Sequence, residues 1–166
     1  MPAVRRAGYH PKVRVLALDL GRKRIGLAIS DASGVLARPL ETIEASGPAR
    51  LGRVVEAVRR LGAEEDGLGT VVVGLPRRLD GTPTDQTAEA EAFVHGLRGR
   101  IEQPVEMQDE RLSSVEAESR LAVRDRDWRS RKKKLDAAAA AVILQDYLDA
   151  RRDSGFGIQD SGNGEV

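Results

Sequence analysis

Two apolar runs, Val13–Leu20 (VRVLALDL) and Arg24–Ser30 (RIGLAIS), are separated by only Gly21, Arg22 and Lys23. A gap this short cannot carry a crossover, so the two runs must pair as an antiparallel hairpin. Val13–Leu20 is apolar on both faces, which predicts a central, buried strand. After a turn at Asp31–Gly34 (DASG), Val35–Ile43 extends the meander to a third strand. Pro39 lies inside that run and cannot donate to a ladder, so the third strand is expected at an edge.

The period then changes. Leu51, Val54, Val55, Val58 and Leu61 recur at helical spacing within Pro48–Leu61. Thr70–Leu75 (TVVVGL) is short, continuous and β-branched, as a buried parallel strand would be. Pro76–Thr84 reads as a loop, Asp85–Leu97 as a helix and Pro104–Gln108 as a further strand. Ser113 and Glu116 form a capping box that predicts a helix to about Val123. Val123–Lys134 reads as a charged connector and Leu135–Leu148 as a helix carrying five consecutive alanines. The order is β-β-β-α-β-α-β-α-α. It predicts an α/β fold: a mixed five-stranded sheet, three antiparallel strands then parallel ones, with helices on both faces. Residues 13–150 form the expected domain, 1–12 an N-terminal extension and 151–166 a flexible tail.

Composition narrows the chemistry. Cysteine is absent, which excludes disulfides, thiol nucleophiles and cysteine zinc sites and fits a cytoplasmic protein. Only His10 and His95 are present, so a histidine metal site is not expected. No apolar run reaches the roughly 18 residues of a membrane span, and Met1–Arg14 lacks the apolar stretch of a signal peptide. The net charge of +1 conceals an uneven distribution. Residues 1–60 hold 12 Lys+Arg against 5 Asp+Glu, whereas 61–127 hold 8 against 15. Five bases crowd into Arg129–Lys134, and 22 of the 27 bases are arginine. That pattern predicts a basic face for a polyanionic partner.

Three acidic features are unusual. Asp19 ends a hydrophobic strand, where a carboxylate is costly unless it caps the turn, pairs with Arg22, Lys23 or Arg24, or binds metal. Asp109 and Glu110 end the last strand, at the edge where open α/β sheets place ligands, and alternation sends them to opposite faces. Asp136 is read in the first turn of the alanine-rich helix, where the macrodipole alone would favour it. Three such carboxylates gathered at one edge would hold Mg²⁺ or Mn²⁺ through oxygen ligands. Gly74-Leu75-Pro76 followed by Arg77 and Arg78 is either strand punctuation or a rigid turn presenting arginine to phosphate. Trp128 is a packing anchor or a base-stacking platform.

Four segments, Ala17–Asp31 (ALDLGRKRIGLAISD), Val72–Asp85 (VVGLPRRLDGTPTD), Gln108–Glu116 (QDERLSSVE) and Lys134–Leu144 (KLDAAAAAVIL), resemble the YqgF/RuvX family in sequence and order. These are bacterial Holliday-junction-resolvase-like pre-16S rRNA nucleases with an RNase H-like fold. The resemblance spans about Val13 to Asp149. It implies a hydrolase, a Mg²⁺- or Mn²⁺-dependent nuclease acting in rRNA processing and ribosome biogenesis, in DNA recombination, or in both. It places the catalytic, metal-holding acids on Asp19, Glu110 and Asp136, with Asp109 as a helper. Family helices often carry hydroxyl residues after the third acid, where this chain has alanines.

Lys23, Arg24, Arg77, Arg111, Lys132 and Lys134 are then the expected nucleic-acid contacts. The partner is structured RNA or branched DNA, with no membrane, and the protein a monomer or homodimer. Two other classes fit parts of the pattern. A non-catalytic RNA-binding assembly factor would use the same bases without cleavage. A nucleotide-binding ATPase-like domain would use the first hairpin, but would need a second domain to close over the nucleotide.

Overall fold

The computed structural model describes residues 13–75, 85–109 and 128–160. The elements are β1 (Arg14–Leu20), β2 (Arg24–Ser30), β3 (Ala37–Glu44), α1 (Ala49–Gly62), β4 (Leu68–Leu75), α2 (Asp85–Arg98), β5 (Val105–Asp109) and α3 (Trp128–Asp160). The five strands form one sheet in the order β3-β2-β1-β4-β5. β1 pairs antiparallel with β2 and parallel with β4. β2 pairs antiparallel with β3, and β4 parallel with β5. The expected hairpin, the mixed sheet and the edge position of the proline-bearing strand are all present. The register shifts near Pro39, between Leu27 and Ala28 of the partner strand, as at a β-bulge.

Alternation along β1 divides the core. Leu16 and Leu18 join Ile25, Leu27, Val54, Val58 and Leu97 on the side covered by α1 and α2. Val15 and Ala17 join Ala28, Val72, Ala140, Ile143 and Leu144 on the side covered by α3. The small residues on this second side let α3 lie close to the sheet. Full burial of each large aliphatic side chain is worth about 1.5–3 kcal/mol, and Leu16, Leu18, Ile25 and Leu27 are wholly buried.

Polar fixings tie down the edges. Asp31 Oδ1 accepts from the amides of Val35 and Leu36 at 2.8 and 3.1 Å, closing the β2–β3 turn. Gln145 of α3 accepts from Ala37 N at 3.0 Å and donates to the Val35 carbonyl at 2.9 Å. At the other sheet edge Tyr147 donates to Glu106 of β5, and Arg151 donates to the Tyr147 hydroxyl at 3.0 Å.

The last helix departs most from the sequence reading. It begins at Trp128 and runs to Asp160, so Arg129–Lys134 is helical and not a connector. Lysine and arginine are good helix formers, and a basic run that looks like a solvated loop costs little as exposed helical turns. Asp136 therefore stands eight residues beyond the start of α3 and not in its first turn. The helix also passes Leu148, its expected end, and continues through Ser154. The helix expected from Ser113 and the Pro76–Thr84 loop lie outside the described residues.

Candidate active site

The β1–β2 turn is very tight. Gly21 N donates to the Arg24 carbonyl at 2.8 Å, and a Cβ at position 21 would stand 2.5 Å from that oxygen. The turn leaves Asp19 in register with Gly26. Asp19 follows Val15 and Ala17 in alternation, so it lies on the α3 side of the sheet. Gly26 is where α3 meets the sheet. A Cβ there would stand 1.9 Å from the Asp136 carbonyl oxygen and 2.9 Å from Ala137 N. Helix backbone therefore lies directly on strand backbone, and Asp19 and Asp136 flank the same point.

With Asp136 well inside α3, the helix dipole does not account for a carboxylate there, because that effect fades beyond the first turn. Its nearby charge does. Arg24 Nε donates to Asp136 Oδ2 at 3.0 Å, with the two side chains 26% and 32% exposed. Arg24 is in register with Glu44, and Lys133 Nζ reaches Glu44 Oε1 at 3.1 Å. Thr42, in register with Gly26 on its other side, donates from Oγ1 to the Lys133 carbonyl at 2.6 Å. The start of α3 is thus bonded to β3 and β2 together.

Arg24 of the first hairpin and Lys133 of α3 consequently lie in the same region of the surface. Lys23 is exposed in the turn, and its carbonyl accepts from Ala45 N at 3.1 Å. Lys133 and Lys134 are exposed on α3. Lys132 lies in the same helix. Asp109 ends β5 in register with Leu75. Glu110, Arg77 and Arg111 lie outside the described residues. Among the described residues, no three His, Asp or Glu groups come together to hold a metal ion. What is present is a pair of carboxylate positions, all oxygen donors, which suits a hard divalent cation such as Mg²⁺ or Mn²⁺.

Gly26, Thr42 and Lys133 were not singled out from the sequence. Gly26 carried a signal, since a glycine inside an otherwise apolar strand marks close backbone approach. Thr42 and Lys133 carried none.

A family model described as "RuvX: Holliday junction resolvase" matches residues 13–150. A protein named "Putative pre-16S rRNA nuclease" from Chloroflexus aggregans is 46% identical over 138 residues, covering 83% of this chain and 94% of its own. A protein of the same name from Geobacillus kaustophilus is 42% identical over 142 residues, covering 84% of this chain and all of its own. Among solved structures, T. thermophilus RuvC in complex with a Holliday junction substrate matches with a TM-score of 0.50 at 19% identity. That match covers 84% of this chain and 96% of the RuvC chain. It shows a shared fold, the RNase H-like arrangement of a mixed five-stranded sheet with helices on both faces.

Proposed function

Because this chain belongs to the RuvX Holliday junction resolvase family, we propose that it is a divalent-metal-dependent nuclease of structured nucleic acid. Its first substrate class is precursor 16S rRNA, as the names of its relatives suggest, with branched DNA second. One observation carries the reading: Asp19 and Asp136 flank Gly26 beside a basic hairpin and a basic helix start.

Asp19, Asp136 and Glu110 would hold Mg²⁺ or Mn²⁺, with Asp109 as a helper. A cation held there would supply positive charge for the phosphodiester and would make the attacking water more acidic. The chain's own residues do the rest. Arg24 orients the Asp136 carboxylate. Lys23, Arg77, Arg111, Lys132 and Lys134 bind phosphates of the strand, and these contacts position it without reading sequence. Among the described residues no helix is long and apolar enough to cross a membrane.

The test is a Mn²⁺ cleavage panel of single-stranded RNA, structured RNA and four-way DNA junctions, with the wild type and Asp19→Asn. The expected result is cleavage of structured RNA by the wild type and a loss of at least about 100-fold in Asp19→Asn, with thermal stability retained. Salt-dependent binding without any cleavage product would replace the nuclease with an RNA-binding assembly factor.

A further inference from the structure

Beside the paired carboxylates, a groove of about 360 Å³ opens between edge strand β3 and the start of α3. Its surface is apolar, formed by Pro39 and Leu40 of β3 and by Ala137 and Ala138 of α3. Lys133 and Lys134 stand at one side. The volume falls at the lower end of small-ligand sites, roughly 300–1,000 Å³. We propose that this groove receives one unpaired nucleobase of the substrate strand, with a neighbouring phosphate on Lys133 and Lys134.

Position and charge favour this occupant. Asp19, Gly26 and Thr42 are in register across three strands, and neighbouring strands stand about 4.8 Å apart. Thr42 lines the groove, so the groove begins about 10 Å from the Asp19 backbone, within one or two nucleotides along a strand. Lys134 and Ala137, both lining it, flank Asp136 in the helix. A strand lying on the carboxylates would therefore run on into the groove.

Glu41 and Glu44, near the groove, are each paired with a basic side chain. Glu41 lines the groove, but Arg60 donates to it. Glu44 holds Lys133 only through a pair whose side chains are 49% and 59% exposed, and exposed pairs are worth little. A phosphate can take over that lysine. An apolar slot beside a phosphate contact holds a base only when the base has left its stack. The groove would thus select strands with an unpaired nucleotide near the cleavage point. This specificity rests on the nuclease reading above.

The experiment uses Asp19→Asn, expected to bind without cutting, and Ala138→Leu in the same background. Ala138 is partly exposed, and leucine is a good helix former, so the variant fills the groove without unfolding α3. The probes are an RNA hairpin with one bulged 2-aminopurine and the same hairpin with an abasic bulge. The bulged base should bind at least tenfold more tightly than the abasic form and change its fluorescence on binding. Ala138→Leu should erase that preference and leave abasic binding unchanged. Equal affinity of the parent for both probes overturns the proposal. So does an altered monomer–dimer equilibrium in Ala138→Leu with the base preference intact, which would make the groove a contact between copies. Binding and cleavage are read separately. A base preference without Mn²⁺ cleavage by the wild type sinks the nuclease and leaves the subsite standing; cleavage without preference does the reverse.

Discussion

Arg24 Nε donates to Asp136 Oδ2 at 3.0 Å, joining a residue of the first hairpin to one of the last helix. A guanidinium and a divalent cation on one carboxylate repel each other. The pair is partly exposed, worth about 0.2–1 kcal/mol. Arg24→Gln should therefore tighten Mn²⁺ binding by up to about fivefold in the absence of nucleic acid, as read by calorimetric titration. It should also slow cleavage, because Asp136 loses its orienting partner. Weaker Mn²⁺ binding in Arg24→Gln would show that Arg24 only builds the site.

Gly26 sets how closely α3 approaches the sheet. A methyl group there would meet the Asp136 carbonyl at 1.9 Å, and two backbones cannot give way as a flexible side chain can. Gly26→Ala should cost about 1–3 kcal/mol or more of stability and displace Asp136 from Asp19. Thermal unfolding and Mn²⁺ titration should both report the loss. A variant with wild-type melting temperature and metal affinity would contradict the close contact.

Tyr147 should titrate late. Burial first, then its hydrogen bond to Glu106, pushes the phenol from 10.0 up to about 12. The fold favours the neutral form, so its contribution is intact below pH 10 and disappears as pH rises from about 10 through about 12. Ultraviolet titration of phenolate should show one late step that Tyr147→Phe removes. Tyr147→Phe should also flatten the loss of stability over that alkaline interval.

Asp31 behaves oppositely. The Ser33 hydroxyl, then the amides of Leu36 and Val35, lower its carboxyl below the ordinary value of 3.8. Its support for the β2–β3 turn is present above that value and is lost as pH falls through the lowered one. Asp31→Ala should speed hydrogen exchange at the Val35 and Leu36 amides about tenfold or more at neutral pH, about 1.4 kcal/mol of lost local protection. Unchanged exchange would mean the turn holds without the carboxylate.

The central hairpin was readable because three intervening residues leave no other pairing for two apolar runs. Pro39 placed β3 at the edge for an equally local reason. The start of α3 was not readable, because Arg129–Lys134 has the composition of a solvated loop and becomes helical on a helix anchored elsewhere. Thr42 holds the Lys133 carbonyl from 91 residues away. In the site, Asp19 was conspicuous as a carboxylate in an apolar strand. The bond from Arg24 to Asp136 spans 112 residues, and no local pattern encodes it. The dipole explanation for Asp136 failed for the same reason: it depended on where the helix begins.

The junction at Gly26 brings the first strand's Asp19 together with Asp136 of the last helix. During synthesis, a chain that has emerged only through β5 carries the first carboxylate without the other. Its sheet also exposes Val15, Ala17, Ala28 and Val72, which α3 later covers. The two acidic positions thus meet only once α3 has been made. A nascent or truncated chain is therefore incomplete in its core and in its candidate site at once.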